Sequence, residues 1–440
     1  MNYAFLPDLS ALAILIVILI LLHRNHPHHK ADIWLLGLFL TLIEGVAHTF
    51  YAPVGPPNKI LHVIVVDCYL LAGLVFIWAG GDDILSPRRR LISISLNAIP
   101  LLMVNTFYGL NIRAVDVFYA VVAVGIVIGV ATSITMRRSK RLAVLYLCGW
   151  VGMGLLFHWE EYRVAVYWSL SCVYTIAALN FRYHLPRGST GRLAILTGFS
   201  IWSLCFLTHP WVVHYRAYVD IASHVWNMQK SLILIGMLLV MLEEQVSNNK
   251  WLALHDELTG LPNRRLFENK LADAIEHAHK VKGSLLLLLL DLNGFKKIND
   301  SRGHQAGDRV LCEIAKNLCE TVQECDTLAR LGGDEFVMIL SQLPDGDAVA
   351  KMMEEIHHAV ERPIVIDGQQ LSVTASMGTS MYPDDAEDAT TLLRIADQRM
   401  YVLKRMPASV RSEMYVGESV PYADSWQRSR RSSLRKADTA

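Results

Sequence analysis

The run Arg330-Leu331-Gly332-Gly333-Asp334-Glu335-Phe336 sets two adjacent carboxylates on a glycine turn between short apolar stretches. Residues 328–331 and 336–340 read as the arms of a β-hairpin, and paired glycines accept the positive φ that brings backbone close to a ligand. Such a turn suits a metal-bound phosphate. The same residues at an exposed tip also describe an ordinary solvated turn, so their neighbours must decide.

The elements that would position this turn are legible upstream and downstream. Residues 284–290 form an unbroken apolar run ending at Asp291, the pattern of a strand buried on both faces whose terminal acid emerges where ligands bind. Asn263 is a good N-cap for a helix reaching about Val281. After Asp291 come Asn293-Gly294-Phe295-Lys296-Lys297-Ile298-Asn299-Asp300 and Gly303-His304-Gln305-Ala306-Gly307-Asp308, then a helix expected over 309–322. Lys296 offers a cation for phosphate, while Asn299, His304 and Asp308 offer polar groups for a base edge. Amide donors with a carboxylate suit guanine, whose N1–H and 2-amino group donate to a carboxylate where adenine has no matching pair. A last buried strand is expected over 373–379 and a last helix over 389–404. The expected order is helix, strand, helix, helix, strand, hairpin, strand, helix.

The whole chain is more apolar than this segment. Its 440 residues are 52% hydrophobic and only 19% charged, with mean hydropathy +0.30. That balance is membrane-like, and the apolar residues concentrate before about 243. About nine stretches are long enough to cross a bilayer as helices, near 6–22, 33–52, 60–80, 91–110, 115–135, 142–158, 164–181, 193–209 and 222–242. Alternate loops gather Arg24, Lys30, Arg88, Arg89, Arg90, Arg137, Arg138, Lys140, Arg141, Arg182, Arg187 and Arg192 on one side, against Lys59, Arg113, Arg163 and Arg216 on the other. The positive-inside rule then places the N-terminus outside and the C-terminal half in the cytoplasm of a bacterial inner membrane. The start Met1-Asn2-Tyr3-Ala4 lacks the basic region of a cleaved signal peptide. Formal net charge is zero, which excludes bulk attraction to nucleic acid. No CxxC pair occurs, and Cys312 and Cys319 read as core residues of a reduced domain.

Ionisable residues within apolar spans point to function. Glu44 and His48 lie one helical turn apart, His62 and Asp67 follow on the next span, and His158, Glu160, Glu161, His209, His214 and His224 join them at the outer face in projection. These donors could form an extracytoplasmic metal, haem or small-ligand site, but mutual pairing, pairing with helix backbones or wet loops is the more ordinary reading. His26, His28 and His29 read as a solvated turn. The last span continues as a helical connector over 244–255, whose apolar positions fit a short parallel coiled coil only roughly. The domain reading is a membrane sensor region over 1–243, this connector, a catalytic domain over 256–406, and a disordered basic tail over 407–440.

From about Asp256 to Lys404 the chain resembles the GGDEF domain of diguanylate cyclases. The likeness rests on separated motifs in order: Asp256-Glu257-Leu258-Thr259-Gly260-Leu261-Pro262-Asn263-Arg264-Arg265, the segments at 291–300 and 303–308, the glycine turn, Ser376-Met377-Gly378, and Ala396 to Lys404. The resemblance implies an α+β ferredoxin-like, nucleotidyl-cyclase-like fold behind an all-α transmembrane bundle. It implies condensation of two GTP to cyclic di-GMP and two pyrophosphates by a homodimer, with Mg²⁺ or Mn²⁺ as cofactor. Asp291, Asp334 and the Leu292 carbonyl would hold the metal, and Asp334 or Glu335 would take the proton of the attacking 3′-hydroxyl. Lys296 and Lys404 would contact phosphates, Asn299 and Asp308 guanine, with His304 beside the nucleoside. The inhibitory product motif is degenerate: Gln323 stands where an arginine is usual, ahead of Asp326. Ala408 replaces another usual arginine, and Asn293 the second acid of a paired motif. A non-catalytic GTP- or cyclic-di-GMP-binding signalling module is the alternative.

Overall fold

The computed structural model describes residues 6–25, 27–28, 30–50, 56–80, 87–135, 140–323, 326–341 and 346–406. The expected tail, with Ala408, lies outside the described residues, as do His26, His29, Arg137, Arg138, Glu324 and Cys325. The chain divides into Met1–Val246 and Ser247–Ala440, close to the boundary expected at 243.

Long apolar runs fold as helices because a helix satisfies its own backbone groups where water cannot. The first unit contains α1 (Leu6–Asn25), α2 (Ala31–Phe50), α3 (Pro56–Ala79), α4 (Pro87–Gly109), α5 (Val115–Thr135), α6 (Lys140–His158), α7 (Tyr162–His184), α8 (Thr190–Val212) and α9 (Arg216–Leu254), whose end is helical through the expected connector. Each helix covers one expected span. Six are long and apolar enough to cross a membrane, while the described apolar stretches of α4, α5 and α6 are shorter.

Successive helices pack on each other, α2 on α3, α5 on α6 and α7 on α8, with α3 also against α7. Trp34, Phe76, Tyr174, Phe181 and Phe199 are fully buried between them. Ile14, Val17, Val127 and Met228 point outward, as a lipid-facing surface requires. Small residues let α8 and α9 approach closely: a Cβ on Gly191 would lie 2.6 Å from the Gly236 carbonyl oxygen.

Polar residues within this unit are paired across helices. Lys230 of α9 donates to Glu44 of α2 at 2.5 Å, and both side chains are almost inaccessible. The Lys230 ammonium also lies over the rings of Tyr69 and Trp202, at 5.4 and 5.9 Å. His28 is not the solvated residue expected. It is buried, packs its ring at a tilt against Trp34, and places Nε2 3.1 Å from Glu244. Its short polar loop gives no local sign of a partner at the far end of the unit's sequence.

The second unit is an antiparallel sheet with helices on both faces. In chain order it contains α10 (Arg264–Val281), β1 (Leu285–Asn293), α11 (Phe295–Arg302), α12 (His304–Cys319), β2 (Thr327–Gly332), β3 (Glu335–Ser341), α13 (Gly346–Glu361), β4 (Ile364–Ile366), β5 (Gln369–Leu371), β6 (Thr374–Tyr382) and α14 (Ala389–Lys404). The four-stranded order is β2-β3-β1-β6, the arrangement of a ferredoxin-like split βαβ fold. Side-chain alternation along central β1 builds two cores. Leu286, Leu288, Leu290 and Leu292 pack with α12 and α13, whereas Leu285, Leu287 and Leu289 pack with Phe267 and Leu271 of α10 and Ala396 and Met400 of α14.

The expected order lacked α13 and the β4–β5 hairpin, and α12 begins at His304, ahead of the start expected at 309. Gly303, at φ 83°, ends α11 and caps α12, so the two helices meet at one glycine corner that helical periodicity does not reveal. Cys312 is half-buried and Cys319 exposed, which corrects the core assignment of Cys319.

The tightest approach in this unit is between β6 and α14. A Cβ on Gly378 would fall 2.1 Å from the Ala396 carbonyl oxygen and 2.4 Å from the Met400 nitrogen. Gly378→Ala is therefore expected to destabilise the second unit by about 2 kcal/mol or more, read as a lower midpoint in its unfolding transition. A variant that unfolds with the wild type would contradict this packing.

Candidate active site

The carboxylates gather where β1 leaves the sheet. Asp291 pairs with Glu335 on β3 and with Ser376 on β6, so the three side chains leave the same face of the sheet, on the side of α10 and α14. Asp334 sits in the turn between β2 and β3, and its carbonyl accepts the Leu292 N–H at 3.2 Å. The turn is thereby tied to the end of β1. Gly332 and Gly333 have φ of 141° and 54°, which bears out the reading that this turn needs glycine.

Electrostatically the corner is strained. Asp291 is 5% exposed; its Oδ2 accepts from Lys404 Nζ at 2.7 Å, while its Oδ1 is buried with no hydrogen-bond partner. Burial, and next the Asp291 charge, pushes the Asp334 carboxyl above its ordinary range. The same two causes raise Glu335. An orphaned carboxylate oxygen beside two raised carboxyls is the donor chemistry of a hard divalent cation. Among the described residues no group of three or more His, Cys, Asp or Glu side chains is placed to hold a metal ion by itself. The set fits a site that takes its remaining ligands from water or phosphate, as magnesium sites commonly do.

Arg330 braces the turn, a role its motif did not disclose. Its Nε and Nη2 donate to the Gly333 carbonyl at 3.1 and 2.7 Å, and its Nη1 donates to Asp256 at 2.7 Å. Burial acts to raise Asp256, but hydrogen bonds from Thr259 and Arg330 outweigh it and hold that carboxyl below its ordinary value. Asn263 caps α10 through the Leu266 N–H, as expected, and also donates to the Ala253 carbonyl at 3.0 Å. Beside these residues lies a cleft of about 340 Å³ lined by Asp256, Arg264, Arg265, Glu268, Arg330 and Gly332.

The polar residues expected to read a base meet at the α11–α12 corner. A Cβ on Gly307 would lie 1.9 Å from Asn299 Oδ1, so only glycine leaves room for that amide beside the first turn of α12. Asn299 Oδ1 is buried without a hydrogen-bond partner, an acceptor left open. Asp308, adjacent to Gly307, is exposed, as are Lys296 on α11 and His304 at the start of α12. Asn293 serves the sheet. It accepts from Ser376 Oγ at 2.9 Å and donates to Thr374 Oγ1 at 3.1 Å, joining β1 to β6.

Asp326 of the degenerate inhibitory motif is committed to the backbone. It accepts from the Gln323 N–H at 3.0 Å and from the Ser341 N–H at 2.9 Å. In the first unit, the expected sensor residues have partners on other helices. Glu44 holds Lys230, Asp67 accepts from Thr106 at 3.1 Å, and His62 packs edge-on to Tyr108 at 5.5 Å. His48 lies within Coulombic reach of Glu44 and Lys230. Lys230 was missed because its partner is 186 residues away, a distance local pattern does not span.

Comparison with known proteins finds similarity over the second unit. Residues 253–409 match the family model described as diguanylate cyclase, GGDEF domain. Diguanylate cyclase TpbB of Pseudomonas aeruginosa is 40% identical over 154 residues, which cover 35% of each chain. MucR of the same organism, a bifunctional diguanylate cyclase and cyclic di-GMP phosphodiesterase, is 40% identical over 153 residues covering 35% of this chain and 22% of that protein. The match thus spans about a third or less of these curated relatives. A solved structure comprising only the GGDEF domain of TpbB has 40% identity and a TM-score of 0.34, and the match covers 34% of this chain and 88% of that one. Residues 253–409 of this chain are thus similar to the GGDEF domain, a family whose named members include diguanylate cyclases.

Proposed function

We propose that the full chain is a membrane-bound diguanylate cyclase that condenses two GTP to cyclic di-GMP and two pyrophosphates, under control of a signal received by its helical bundle. The observation that carries this reading is the corner of Asp291, Asp334 and Glu335, with one carboxylate oxygen left orphaned, in the same unit as an open amide acceptor at Asn299.

Asp291 and Asp334, with the Leu292 carbonyl, would hold Mg²⁺ or Mn²⁺; when bound, the cation supplies charge stabilisation at the transferring α-phosphate and acidifies the 3′-hydroxyl. The chain's own residues do the rest. Asn299 and Asp308 receive guanine, and His304 lies beside the nucleoside. Lys296 and Lys404 hold the terminal phosphates, which leave as pyrophosphate when the 3′-oxygen forms its bond to the α-phosphorus. Asp334 or Glu335 takes the hydroxyl proton, for which a carboxyl raised toward neutrality is better matched than an ordinary one. Arg330 keeps the turn in place by holding the Gly333 carbonyl. One domain cradles one GTP, so a second copy must present the other, and a homodimer is the catalytic unit. Six long apolar helices support attachment to a membrane, and the positive-inside pattern supports a cytoplasmic catalytic domain.

Purified chain with GTP and Mg²⁺ is expected to form cyclic di-GMP, identified by mass spectrometry. Asp334→Ala is expected to lower the rate by about 10²-fold or more, and Asn299→Ala to raise KM for GTP about tenfold. A wild type that binds GTP but forms no product would instead identify a non-catalytic binding module.

The raised carboxyls make a second prediction. A carboxyl raised in the folded state contributes stability present below its unfolded value and lost as pH rises through its folded value. Metal-free protein should therefore lose stability as pH rises through the raised range of Asp334 and Glu335. Added Mg²⁺ at neutral pH should restore it. Asp334→Asn should weaken both responses, and unchanged melting curves for that variant would argue against a coupled carboxylate corner.

A further inference from the structure

Two neighbouring helices of the bundle enclose acceptor oxygens that no donor reaches. Asn105 of α4 is fully buried and donates Nδ2 to the Val66 carbonyl of α3 at 3.3 Å. The next residue, Thr106, donates Oγ1 to Asp67 Oδ2 at 3.1 Å. Consecutive residues of α4 thus bind consecutive residues of α3, which sets the Asn105 amide and the Asp67 carboxylate at one level of the interface. The helices are close here: a Cβ on Gly109 would lie 2.5 Å from Val63 Cγ2 and 3.2 Å from the Val63 Cα. At this level Asp67 Oδ1 and Asn105 Oδ1 are both buried with no hydrogen-bond partner among the described residues. Asp67 has the Thr106 hydroxyl as its partner and makes no ion pair among those residues.

An unpaired carboxylate is costly in α3, a helix apolar enough to cross a membrane. A buried amide carbonyl without a donor adds to that cost. Both oxygens lack a positive partner. Water would satisfy the amide but leave the Asp67 charge unmatched, whereas one bound cation answers both. Oxygen donors alone select a hard ion. A single carboxylate balances a single positive charge, so a divalent ion would leave excess charge in an apolar setting. The donor set of carboxylate, amide carbonyl and hydroxyl is also unlike a transition-metal cluster of His, Cys, Asp and Glu, of which none occurs among the described residues. Close packing of α3 on α4 favours a small ion, and Asp67 is only partly buried as a residue, so the site is not sealed. We infer that Asp67, Asn105 and Thr106 form a binding site between α3 and α4 for a monovalent cation of the size of sodium.

The test uses the full chain in phosphatidylcholine nanodiscs without nucleotide, which keeps it independent of the proposed cyclase chemistry. Sodium is expected to raise the melting midpoint of the helical signal above that in choline at matched ionic strength, and to do so more than potassium. A second readout is dicyclohexylcarbodiimide, which modifies protonated carboxyls in apolar surroundings. At one fixed pH, sodium should lower its labelling of Asp67 several-fold by mass spectrometry, because the cation takes the place of the proton. Asp67→Asn should abolish the midpoint shift. Asn105→Ala should weaken the apparent sodium affinity about tenfold, the equivalent of one good polar contact; a merely structural Asn105 would lower the midpoint and leave the sodium dependence unchanged. The inference is overturned if sodium moves neither readout beyond potassium, if labelling follows pH alone, or if the midpoint shift survives Asp67→Asn. Should that variant fail to fold, sodium protection of Asp67 from labelling in the wild type decides.

Discussion

Mutual repulsion among Asp291, Asp334 and Glu335 is the constraint around which the C-terminal unit is arranged. Three acids do not gather in a half-buried corner unless the scaffold holds them there. The scaffold is β1, buried on both faces and locked by ladders to β3 and β6. Because the register pairs Asp291 with Glu335, the sheet cannot form correctly without bringing these two acids together. The glycine turn adds the third, and the Leu292 to Asp334 backbone bond prevents it from swinging away. Folding free energy is thereby set against electrostatic repulsion at one point, which in the proposed reading a bound divalent cation would offset.

The two units handle buried charge differently. In the helical unit Glu44 and Lys230 neutralise each other within a ring of aromatic side chains, and Glu243 of α9 accepts from Ser189 and from the Thr190 N–H at the start of α8. Removing one partner of the Glu44–Lys230 pair would leave a charge in an apolar setting. α9 is accordingly fixed to α2, to α8 and, through Glu244, to His28. Glu243 and Glu244 of α9 thus serve as attachments within the bundle.

Much of the second unit was legible because its signals are local. The leucine run predicts β1, Asn263 predicts the start of α10, and 389–404 predicts α14 to the residue. What was not legible depends on chain folding. Arg330 reads as one residue of a motif until Asp256 is seen beside it. Gly307 reads as a helix-weakening residue until the Asn299 amide is found in the space its missing Cβ leaves. α13 carries none of the polar residues that mark the site, and only its amphipathic pattern distinguishes it from a long connection between hairpin and last strand. In the helical unit the spans follow from composition, but the Glu44–Lys230 pair joins residues too far apart for periodicity to relate.

Lys404 shows how this arrangement imposes an order of events. Its ammonium now neutralises Asp291 across 2.7 Å, and a lysine presents a single compact charge. In the proposed reading the same ammonium must also hold a terminal phosphate, and it cannot fully serve both anions. A cation arriving at Asp291 competes with Lys404 and frees it; phosphate arriving first must draw Lys404 off and leave Asp291 bare. In that reading a metal and triphosphate entering together as a complex would satisfy Asp291 and Lys404 at once.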